Sequence, residues 1–331
     1  MPNFIKKEQK IFIAGHKGMA GSAIKRSLKN SGYKNLLEVD RSSLDLEDQY
    51  AVNKWIKLNK PDVVIIAAAK VGGIIANNNL PADFILRNLS IQTNLIKSSF
   101  ENDVKRLLFL GSSCIYPKFS KQPIKEEYLL TSSLERTNQW YAIAKIAGLK
   151  LCQALRKQYG FDAITLMPTN LYGPGDNYHP TQSHVLPSFI RKFTEAVLNN
   201  DDTIECWGSG SPKREFLHVD DFGDASVFAL ENFDPNASDL MVDEDGEIIN
   251  FLNVGSGIDL TIKELSEKVA LYTGYKGQII WDKSKPDGTP QKKLDISRIK
   301  KLGWRPKIEI DSGIKSTINI YKSKFNNEEN K

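Results

Sequence analysis

Two features of the sequence predict an α/β protein, with a doubly wound parallel sheet and a smaller C-terminal α/β domain. Segments 10–14, 62–69 and 105–110 are short and almost wholly apolar, which is typical of strands buried on both faces of a parallel sheet. Helical patterns follow these strands, over 22–29, 81–102 and 141–159. Parallel strands that alternate with helices need right-handed crossovers, and they place ligands outside the carboxyl ends of the strands.

The composition of the 331-residue chain is that of an ordinary globular protein, with 40% hydrophobic and 26% charged residues. The net charge is +5, but basic and acidic residues are interspersed, so nucleic-acid binding is not expected. The longest apolar run, 63–69, is far too short to cross a bilayer, and the N-terminus lacks a signal-peptide pattern. Three widely spaced cysteines predict free thiols in a reducing compartment, the cytoplasm: Cys114, Cys152 and Cys206.

A glycine-rich turn links the first predicted strand to the first predicted helix. Its glycines are Gly15, Gly18 and Gly21, in the spacing G-x-x-G-x-x-G. Glycine allows a tight turn and a close approach of backbone to a pyrophosphate, while the helix N-terminus supplies free N–H groups and a positive dipole. The arrangement predicts a dinucleotide site on a Rossmann-type sheet, although a purely structural turn is the alternative.

Two adjacent residues at the end of the second predicted strand, 35–39, bear on the choice of cofactor. Asp40 follows the glycine turn by about 20 residues, where an acid commonly binds the ribose hydroxyls of NAD. Arg41 and the loop residue Lys17 instead favour a 2′-phosphate. The balance predicts NADP(H), with Asp45 and Leu46 as walls of the adenine pocket. The alternative is that Asp40 and Arg41 merely solvate the end of a strand.

Tyr141 and Lys145 lie one turn apart on the helix that follows the fourth predicted strand. A free tyrosine has a pKa near 10, and a neighbouring ammonium favours its phenolate form, so the pair predicts a tuned proton donor. A surface Tyr and Lys on an amphipathic helix is the alternative. Ser112 and Cys114 leave the end of the strand 105–110, so they are expected in the same crevice as the glycine turn and residues 70–73.

Eight separated segments together resemble the extended short-chain dehydrogenase/reductase family, in the branch that acts on GDP-4-keto-6-deoxy sugars. The resemblance runs from about residue 10 to about residue 320. The segments are 14–19 (AGHKGM), 67–76 (AAAKVGGIIA), 110–118 (LGSSCIYPK), 141–148 (YAIAKIAG), 167–174 (MPTNLYGP), 183–187 (SHVLP), 214–221 (REFLHVDD) and 285–290 (KPDGTP).

The resemblance implies a bifunctional enzyme that epimerises C3 and C5 of GDP-4-keto-6-deoxy-D-mannose and reduces C4 with NADPH, which yields GDP-L-fucose. The alternatives are GDP-L-colitose formation and 4-reduction of another GDP-keto sugar. Cys114 and His184 match the acid/base pair of the epimerisation. For Cys114 the alternative is a small buried hydrophobe, and for His184 it is a structural histidine or a metal pair with His179. The implied catalytic residues are Ser112, Cys114, Tyr141, Lys145 and His184.

The same resemblance implies the binding residues, with a homodimer as the assembly. No metal is expected, because no nearby Cys or second carboxylate completes a site with His179 and His184. The cofactor residues are Gly15, His16, Lys17, Gly18, Met19, Gly21, Arg41, Asp45, Leu46, Leu110, Ser112, Lys145, Pro168, Asn170, Leu171 and His184. The residues around GDP are Lys192, Trp207, Arg214, Gln278 and Asp287. Lys17 and Lys192 stand where the family often has Arg, and Gln278 stands where an Arg can contact substrate.

A change in composition and in the length of the predicted elements near residue 175 predicts two domains. Residues 1–174 form the predicted NADP(H)-binding domain, and residues 175–331 form most of the substrate domain, because loops rich in Pro, Gly and Ser there separate shorter elements. The segment 216–232 is expected to return to the large sheet.

Overall fold

A computed structural model describes residues 3–237, 241–243, 246–285 and 287–329. The outermost residues of the two predicted domains, 1, 2, 330 and 331, lie outside this part. The strands are β1 (Ile11–Ala14), β2 (Leu36–Leu37), β3 (Val63–Ile66), β4 (Arg106–Leu110), β5 (Ala163–Pro168), β6 (Asn170–Tyr172), β7 (Thr203–Trp207), β8 (Lys213–His218), β9 (Phe251–Val254), β10 (Asp259–Thr261), β11 (Gln278–Asp282) and β12 (Gln291–Lys292).

Helices connect most of these strands. They are α1 (Met19–Asn30), α2 (Gln49–Asn59), α3 (Ile74–Asn79), α4 (Pro81–Glu101), α5 (Gln139–Tyr159), α6 (Val185–Asn199), α7 (Val219–Asn232), α8 (Ile262–Thr273), α9 (Ser297–Leu302) and α10 (Ile310–Glu329). Single 3₁₀ turns cover Ser113–Ile115 and Glu126–Tyr128. The capping box at the start of α8 is formed by Thr261 and Glu264.

The large sheet has six parallel strands in the order β2-β1-β3-β4-β5-β9. The order reverses beside β1, so the carboxyl ends of β1 and β3 border a crevice at the topological switch point. The strands β1, β3 and β4 are buried along their whole length, as their continuous apolar sequences predict. The α/β fold class and the doubly wound parallel sheet are therefore confirmed.

Alternate side chains of the central strands pack on opposite faces of this sheet. Ile11 and Ile13 of β1 join a core with α1 and α7, while Phe12 joins a second core with α2, α4 and α5. A third core lies between α6, α8 and α10, next to two small sheets. One small sheet has the order β10-β8-β12 with β6 also paired to β8, and the other pairs β11 with β7.

The structure differs from the sequence prediction at several element boundaries. The second strand covers only Leu36–Leu37 of the predicted 35–39, and the strand predicted over 62–69 ends at Ile66, where the chain leaves the sheet to line the crevice. Residues 170–172, expected in a loop, form β6 because they pair with β8.

The division of the chain at residue 174 stays a prediction. The segment 216–232 comprises the end of β8 and the helix α7, which packs against α1 on the large sheet. The strand β9 also lies beyond residue 174, and it is the sixth strand of the large sheet.

Candidate active site

The glycine turn after β1 brings backbone atoms closer together than any other residue type would allow. Gly15 has φ +90°, and a Cβ added to it would lie 2.6 Å from the Ala68 nitrogen. A Cβ on Gly21 would lie 2.2 Å from the Gly15 carbonyl oxygen. Because glycine is required at both positions, the turn stays compact at the N-terminus of α1, whose first residue is Met19. This geometry fits the diphosphate of a dinucleotide.

A cavity of about 500 Å³ opens beside this turn at the switch point of the large sheet. The predicted residues Asp45 and Leu46 form part of its wall, together with apolar side chains of β1, of α4 and of the segment that follows β3. Its size suits part of a dinucleotide. The residues that line it are Phe12, Ala14, Gly15, His16, Lys17, Gly18, Val39, Asp40, Arg41, Leu44, Asp45, Leu46, Glu47, Ala67, Ala68, Ala69, Lys70, Val71, Arg87 and Ile91.

Asp40 is neutralised by neighbours in the glycine turn. The Lys17 ammonium lies 2.6 Å from the Asp40 carboxylate, and the His16 ring nitrogen lies 3.5 Å from it. The hydrogen bond from Lys17 lowers the pKa of Asp40 below its ordinary value. Asp40, the residue that favoured NAD in the sequence, is therefore paired with Lys17. Its negative charge repels a 2′-phosphate less than an isolated carboxylate would.

Two arginines share one carboxylate at the rim of the same cavity. The Glu47 Oε1 atom lies 2.8 Å from Arg87 and 3.4 Å from Arg41. Arg87 and Glu47 were not predicted from the sequence, since Arg87 belongs to α4 and reaches the cavity only through tertiary packing. Asn94 of α4 fixes that packing, because its amide donates to the Leu46 carbonyl at 3.0 Å.

Tyr141 and Lys145 lie on α5, below the turn that carries Ser112. The Lys145 ammonium donates to the Leu110 carbonyl at 2.8 Å and lies 5.8 Å from the centre of the Tyr141 ring. Burial lowers the pKa of Lys145 to about 7. Burial raises the pKa of Tyr141, nearby Cys114 raises it further, and a hydrogen bond with Ser112 opposes both. The expected lowering of the Tyr141 pKa by Lys145 is thus absent from this geometry.

Cys114 lies within the same group of side chains. Its backbone N–H donates to the Ser112 hydroxyl oxygen at 3.2 Å. Two groups approach its sulfur: the Asn138 amide donates at 3.4 Å, and the Lys292 ammonium lies at 3.9 Å. Asn138 and Lys292 were not predicted as site residues from the sequence. Asn138 immediately precedes α5, so its nearness to Tyr141 was a usable signal, whereas Lys292 carries no local signal.

His184 is the N-cap residue of α6 and comes from a different part of the chain. The loop before it contacts the loop after β3, since the Gly73 N–H donates to the Gln182 carbonyl at 3.4 Å. The His184 side chain stays open to solvent within a cleft. Protein surrounds it on most sides, and this desolvation lowers the pKa of His184 below its ordinary value.

Arg214 of β8 lies near both Cys114 and Asp287, so it lies between the predicted catalytic residues and the residues predicted to bind GDP. Burial lowers the pKa of Arg214, and the nearby Cys114, Asp287 and Glu135 oppose that effect. The Asp287 carboxylate accepts hydrogen bonds from the Ser209 N–H at 2.7 Å and from the Ser209 hydroxyl at 2.8 Å.

Trp207 and Lys192 lie together at β7. The Trp207 side chain is 53% exposed, which leaves an indole face free for a ligand. Lys192 of α6 donates to the carbonyl of Glu205, two residues before Trp207, at 3.1 Å. Lys285 lies 5.8 Å from the centre of the Trp207 ring.

Gln278 lies apart from these residues. It pairs with Thr203 at the start of β7, while Trp207 at the other end pairs with Asp282. Four residues along a strand span about 13 Å. Its role as a substrate contact stays a prediction that this position does not favour.

The remaining predicted cofactor residues lie at strand ends. Leu110 ends β4, Pro168 ends β5, and Asn170 and Leu171 belong to β6. The Asn170 amide donates to the Glu215 carbonyl at 2.8 Å, which ties this end of the crevice to β8.

The described residues contain neither a cluster of metal-binding side chains nor a helix that could span a membrane. Within residues 3–237, 241–243, 246–285 and 287–329, no group of three or more His, Cys, Asp or Glu side chains could hold a metal ion. Each helix in that same part of the chain is too short or too polar to span a bilayer.

Comparison with known proteins places this site in a family. The model of the NAD dependent epimerase/dehydratase family matches residues 11–247, which is more than half of the 331-residue chain. The chain belongs to this family. It is 53% identical over 315 residues to GDP-L-fucose synthase 1 of Arabidopsis thaliana, with 95% of this chain and 94% of the relative covered. It is 50% identical over 310 residues to GDP-L-fucose synthase of Escherichia coli (strain K12), with 94% and 95% covered.

Relatives with other specificities are less similar. GDP-L-colitose synthase of Yersinia pseudotuberculosis is 35% identical over 320 residues, with 96% of this chain and 100% of the relative covered. The solved structure of MlghC, a GDP-mannoheptose C4 reductase from Campylobacter jejuni with NADP bound, is 38% identical. It superimposes with a TM-score of 0.87 over 96% of this chain and 99% of that one.

Proposed function

We propose that this protein converts GDP-4-keto-6-deoxy-D-mannose to GDP-L-fucose, as an NADPH-dependent 3,5-epimerase and 4-reductase. The observation that carries the proposal is the meeting of Cys114 with Ser112 and Tyr141 above Lys145. A reductase of this family needs only the last three residues, and the thiol adds a group suited to proton exchange. The relatives that share half of the sequence carry the name GDP-L-fucose synthase, which supports the same specificity.

The residues that fit NADP(H) surround the glycine turn and the adjacent cavity. The N–H groups at the start of α1 would bind the diphosphate. Asp40 is paired with Lys17, so Arg41, which is 72% exposed and lies 3.4 Å from Glu47, would bind the 2′-phosphate. Asp45 and Leu46 line the cavity and would contact the adenine. Lys145, whose ammonium lies at the end of β4, would hold the nicotinamide ribose. When bound, NADPH supplies the hydride for C4.

Tyr141 provides the proton in the reductive half of the reaction. The phenol is protonated at neutral pH, so it can donate to the alkoxide that forms on the C4 oxygen, and the burial that raises its pKa makes it a weaker acid than a free tyrosine. Ser112 hydrogen-bonds the same oxygen and stabilises its developing negative charge. Lys145 is positively charged in part of the molecules at neutral pH, because burial lowers its pKa to about 7.

Cys114 and His184 provide the acid and base of the epimerising half. C3 and C5 flank the C4 ketone, so removal of a proton from either carbon gives an enolate that the ketone oxygen stabilises. One group must remove a proton, and the other must return one to the opposite face of the carbon. A free thiol and a free imidazole both titrate near neutrality, which suits reversible exchange.

The GDP-binding residues in this proposal are Arg214, Trp207, Lys192 and Asp287. The partly buried Arg214 guanidinium suits the diphosphate, since its fork can form two parallel hydrogen bonds. Trp207 presents its exposed face to the base or ribose. Binding energy from this remote group can hold the sugar in the poses that both half-reactions need.

We also infer a cytoplasmic homodimer. The three free cysteines support a reducing compartment. Large apolar side chains on the outer faces of α4 and α5 support self-association, with Leu86 62% exposed and Ile143 39% exposed. Light scattering of the purified protein tests the dimer, and a monomeric mass at micromolar concentration would contradict it.

The function is tested by giving the purified protein GDP-4-keto-6-deoxy-D-mannose with NADPH and identifying the product by NMR. GDP-L-fucose is the expected product. A parallel reaction with the GDP-4-keto-3,6-dideoxy sugar tests colitose formation, and faster turnover there would reassign the specificity. The absence of NADPH oxidation with every GDP-4-keto sugar would contradict the reaction class.

A further inference from the structure

Lys292 is a basic residue that lies beside Cys114. Its ammonium is 3.9 Å from the Cys114 sulfur, and the Asn138 amide donates to that sulfur at 3.4 Å. Lys292 is half-buried, so its charge is screened less by solvent and salt than that of a surface lysine. Both groups interact more strongly with a negative sulfur than with a neutral one.

A network of backbone contacts fixes the position of Lys292. It lies on β12, where it pairs with Arg214 of β8. Two residues later the Leu294 N–H donates to Glu215 at 2.8 Å. The Glu215 side chain is fully buried, and its other oxygen accepts from the Gly257 N–H at 2.6 Å. The ammonium is therefore carried by an anchored strand.

The charged groups that face Cys114 come from several elements. Tyr141 faces it from α5, Arg214 from β8 and Lys292 from β12. Glu135 faces Arg214 and forms an ion pair with Lys118 at 2.8 Å. Asp287 also faces Arg214. Because Lys118 balances Glu135 and Arg214 balances Asp287, the charge of Lys292 leaves the field at the sulfur positive.

We propose that Lys292 holds Cys114 in its thiolate form and thereby supports the epimerising half of the reaction. The inference rests on the proposed role of Cys114. In that step the thiolate takes the proton from the carbon beside the C4 ketone, so an S–H bond forms as the C–H bond breaks. The electron pair of the broken bond moves to the ketone oxygen, which gives the enolate. Lys292 acts through the sulfur, so it is a positioning residue.

The first test is the pH dependence of Cys114 alkylation by iodoacetamide, followed by mass spectrometry of the full-length protein. Only the thiolate reacts, so the midpoint of the rate against pH reports ionisation of the sulfur. Cys152 and Cys206 are buried and act as internal negative controls. Lys292→Met should raise the midpoint by about one pH unit or more, and Lys292→Arg should restore most of it.

Lys293→Met is the matched control. Lys293 is the next residue, but its charge acts on Glu215, so the alkylation midpoint should stay at the wild-type value. Superimposable curves for the wild type and Lys292→Met would overturn the proposal. Equal shifts in Lys292→Met and Lys293→Met would also overturn it, because they would indicate a diffuse field.

The second test is deuterium incorporation from solvent into GDP-4-keto-6-deoxy-D-mannose without NADPH. Lys292→Met should slow incorporation about tenfold at neutral pH and approach the wild-type rate at higher pH, where the thiolate forms unaided. A loss that is equal at all pH values would contradict the proposal. If the alkylation midpoint shifts but the wild type exchanges no deuterium, the Lys292–Cys114 interaction stands and the proposed function fails.

Discussion

The reductase pair, Tyr141 and Lys145, and the epimerase pair, Cys114 and His184, are built in opposite ways. The first pair shares one helix, and Lys145 is 2% exposed. The second pair comes from two distant segments, the 3₁₀ turn after β4 and the N-cap of α6, and both of its side chains reach solvent.

This difference makes the two pairs depend on different parts of the structure. The geometry of Tyr141 and Lys145 is set by helical spacing, and their pKa values are shifted mainly by burial. Cys114 depends on groups from other elements, namely Asn138 and Lys292, and the loop of His184 is held partly by its contact with Gly73. Each half-reaction should therefore be removable without the other.

Tyr141→Phe should have the largest effect on turnover. Loss of the phenol removes the proton donor, so the rate of NADPH oxidation should fall by about 10³-fold. Deuterium incorporation at C3 or C5 should continue, since it depends on Cys114 and His184. Absorbance measures the first quantity and NMR the second.

Tyr159→Phe provides the matched control, because Tyr159 lies at the far end of the same helix and is 57% exposed. It should behave as the wild type in both assays. If Tyr141→Phe lost deuterium exchange in proportion to reduction, the two pairs would not be separable.

Cys114→Ala should impair the epimerising half of the reaction. Deuterium incorporation should fall by about 10²-fold, since the general acid/base at one face of the sugar is gone. NADPH affinity, measured by fluorescence titration, should change little, because the glycine turn and the cavity beside it, which would hold the diphosphate and the adenosine, do not include Cys114. Product formation at the wild-type rate would refute the assignment of Cys114.

Lys145→Met tests the energetic cost of the buried pair. The pKa of Lys145 is about 7 in the folded protein, against about 10.4 in an unfolded chain. Between these values the unfolded chain binds more protons, so stability rises with pH. The free energy of unfolding of the wild type should increase relative to Lys145→Met by on the order of 3 kcal/mol between pH 7 and pH 10.

Urea unfolding at several pH values measures this difference. Lys150→Met is the control, because Lys150 is exposed on the same helix and should give a curve parallel to that of the wild type. A constant difference between the wild type and Lys145→Met across this pH range would show that burial does not lower the pKa of Lys145.

The sequence predicted best what depends on neighbouring residues. Gly15 and Gly21 were identified from spacing alone, and the structure shows close contacts that exclude a side chain at both. The helix that carries Tyr141 and Lys145 follows from apolar periodicity, so its one-turn spacing was also predictable. The strand ends that meet at the crevice follow from the general rule for parallel sheets.

Features that depend on pairing between distant segments could not be predicted. Lys292 reaches Cys114 only because β12 aligns with β8, and a two-residue strand has no recognisable pattern. Arg87 reaches the cofactor cavity only through the packing of α4 on the loop at Leu46. The strand β9 begins at Phe251 and pairs with β5 in the large sheet. No local sequence pattern predicts this pairing.

Arg214→Lys should have the smallest effect and should act on both pairs alike. A lysine keeps the charge but loses the bidentate fork, so the KM for the GDP sugar should rise by about tenfold, or about 1.4 kcal/mol. Because GDP binding serves both half-reactions, kcat/KM for deuterium exchange and for reduction should fall by the same factor. The neighbouring Lys213 is exposed, and Lys213→Met should leave kcat/KM unchanged for both deuterium exchange and reduction. A loss confined to exchange would instead mean that Arg214 acts mainly on Cys114, whose charge it also faces.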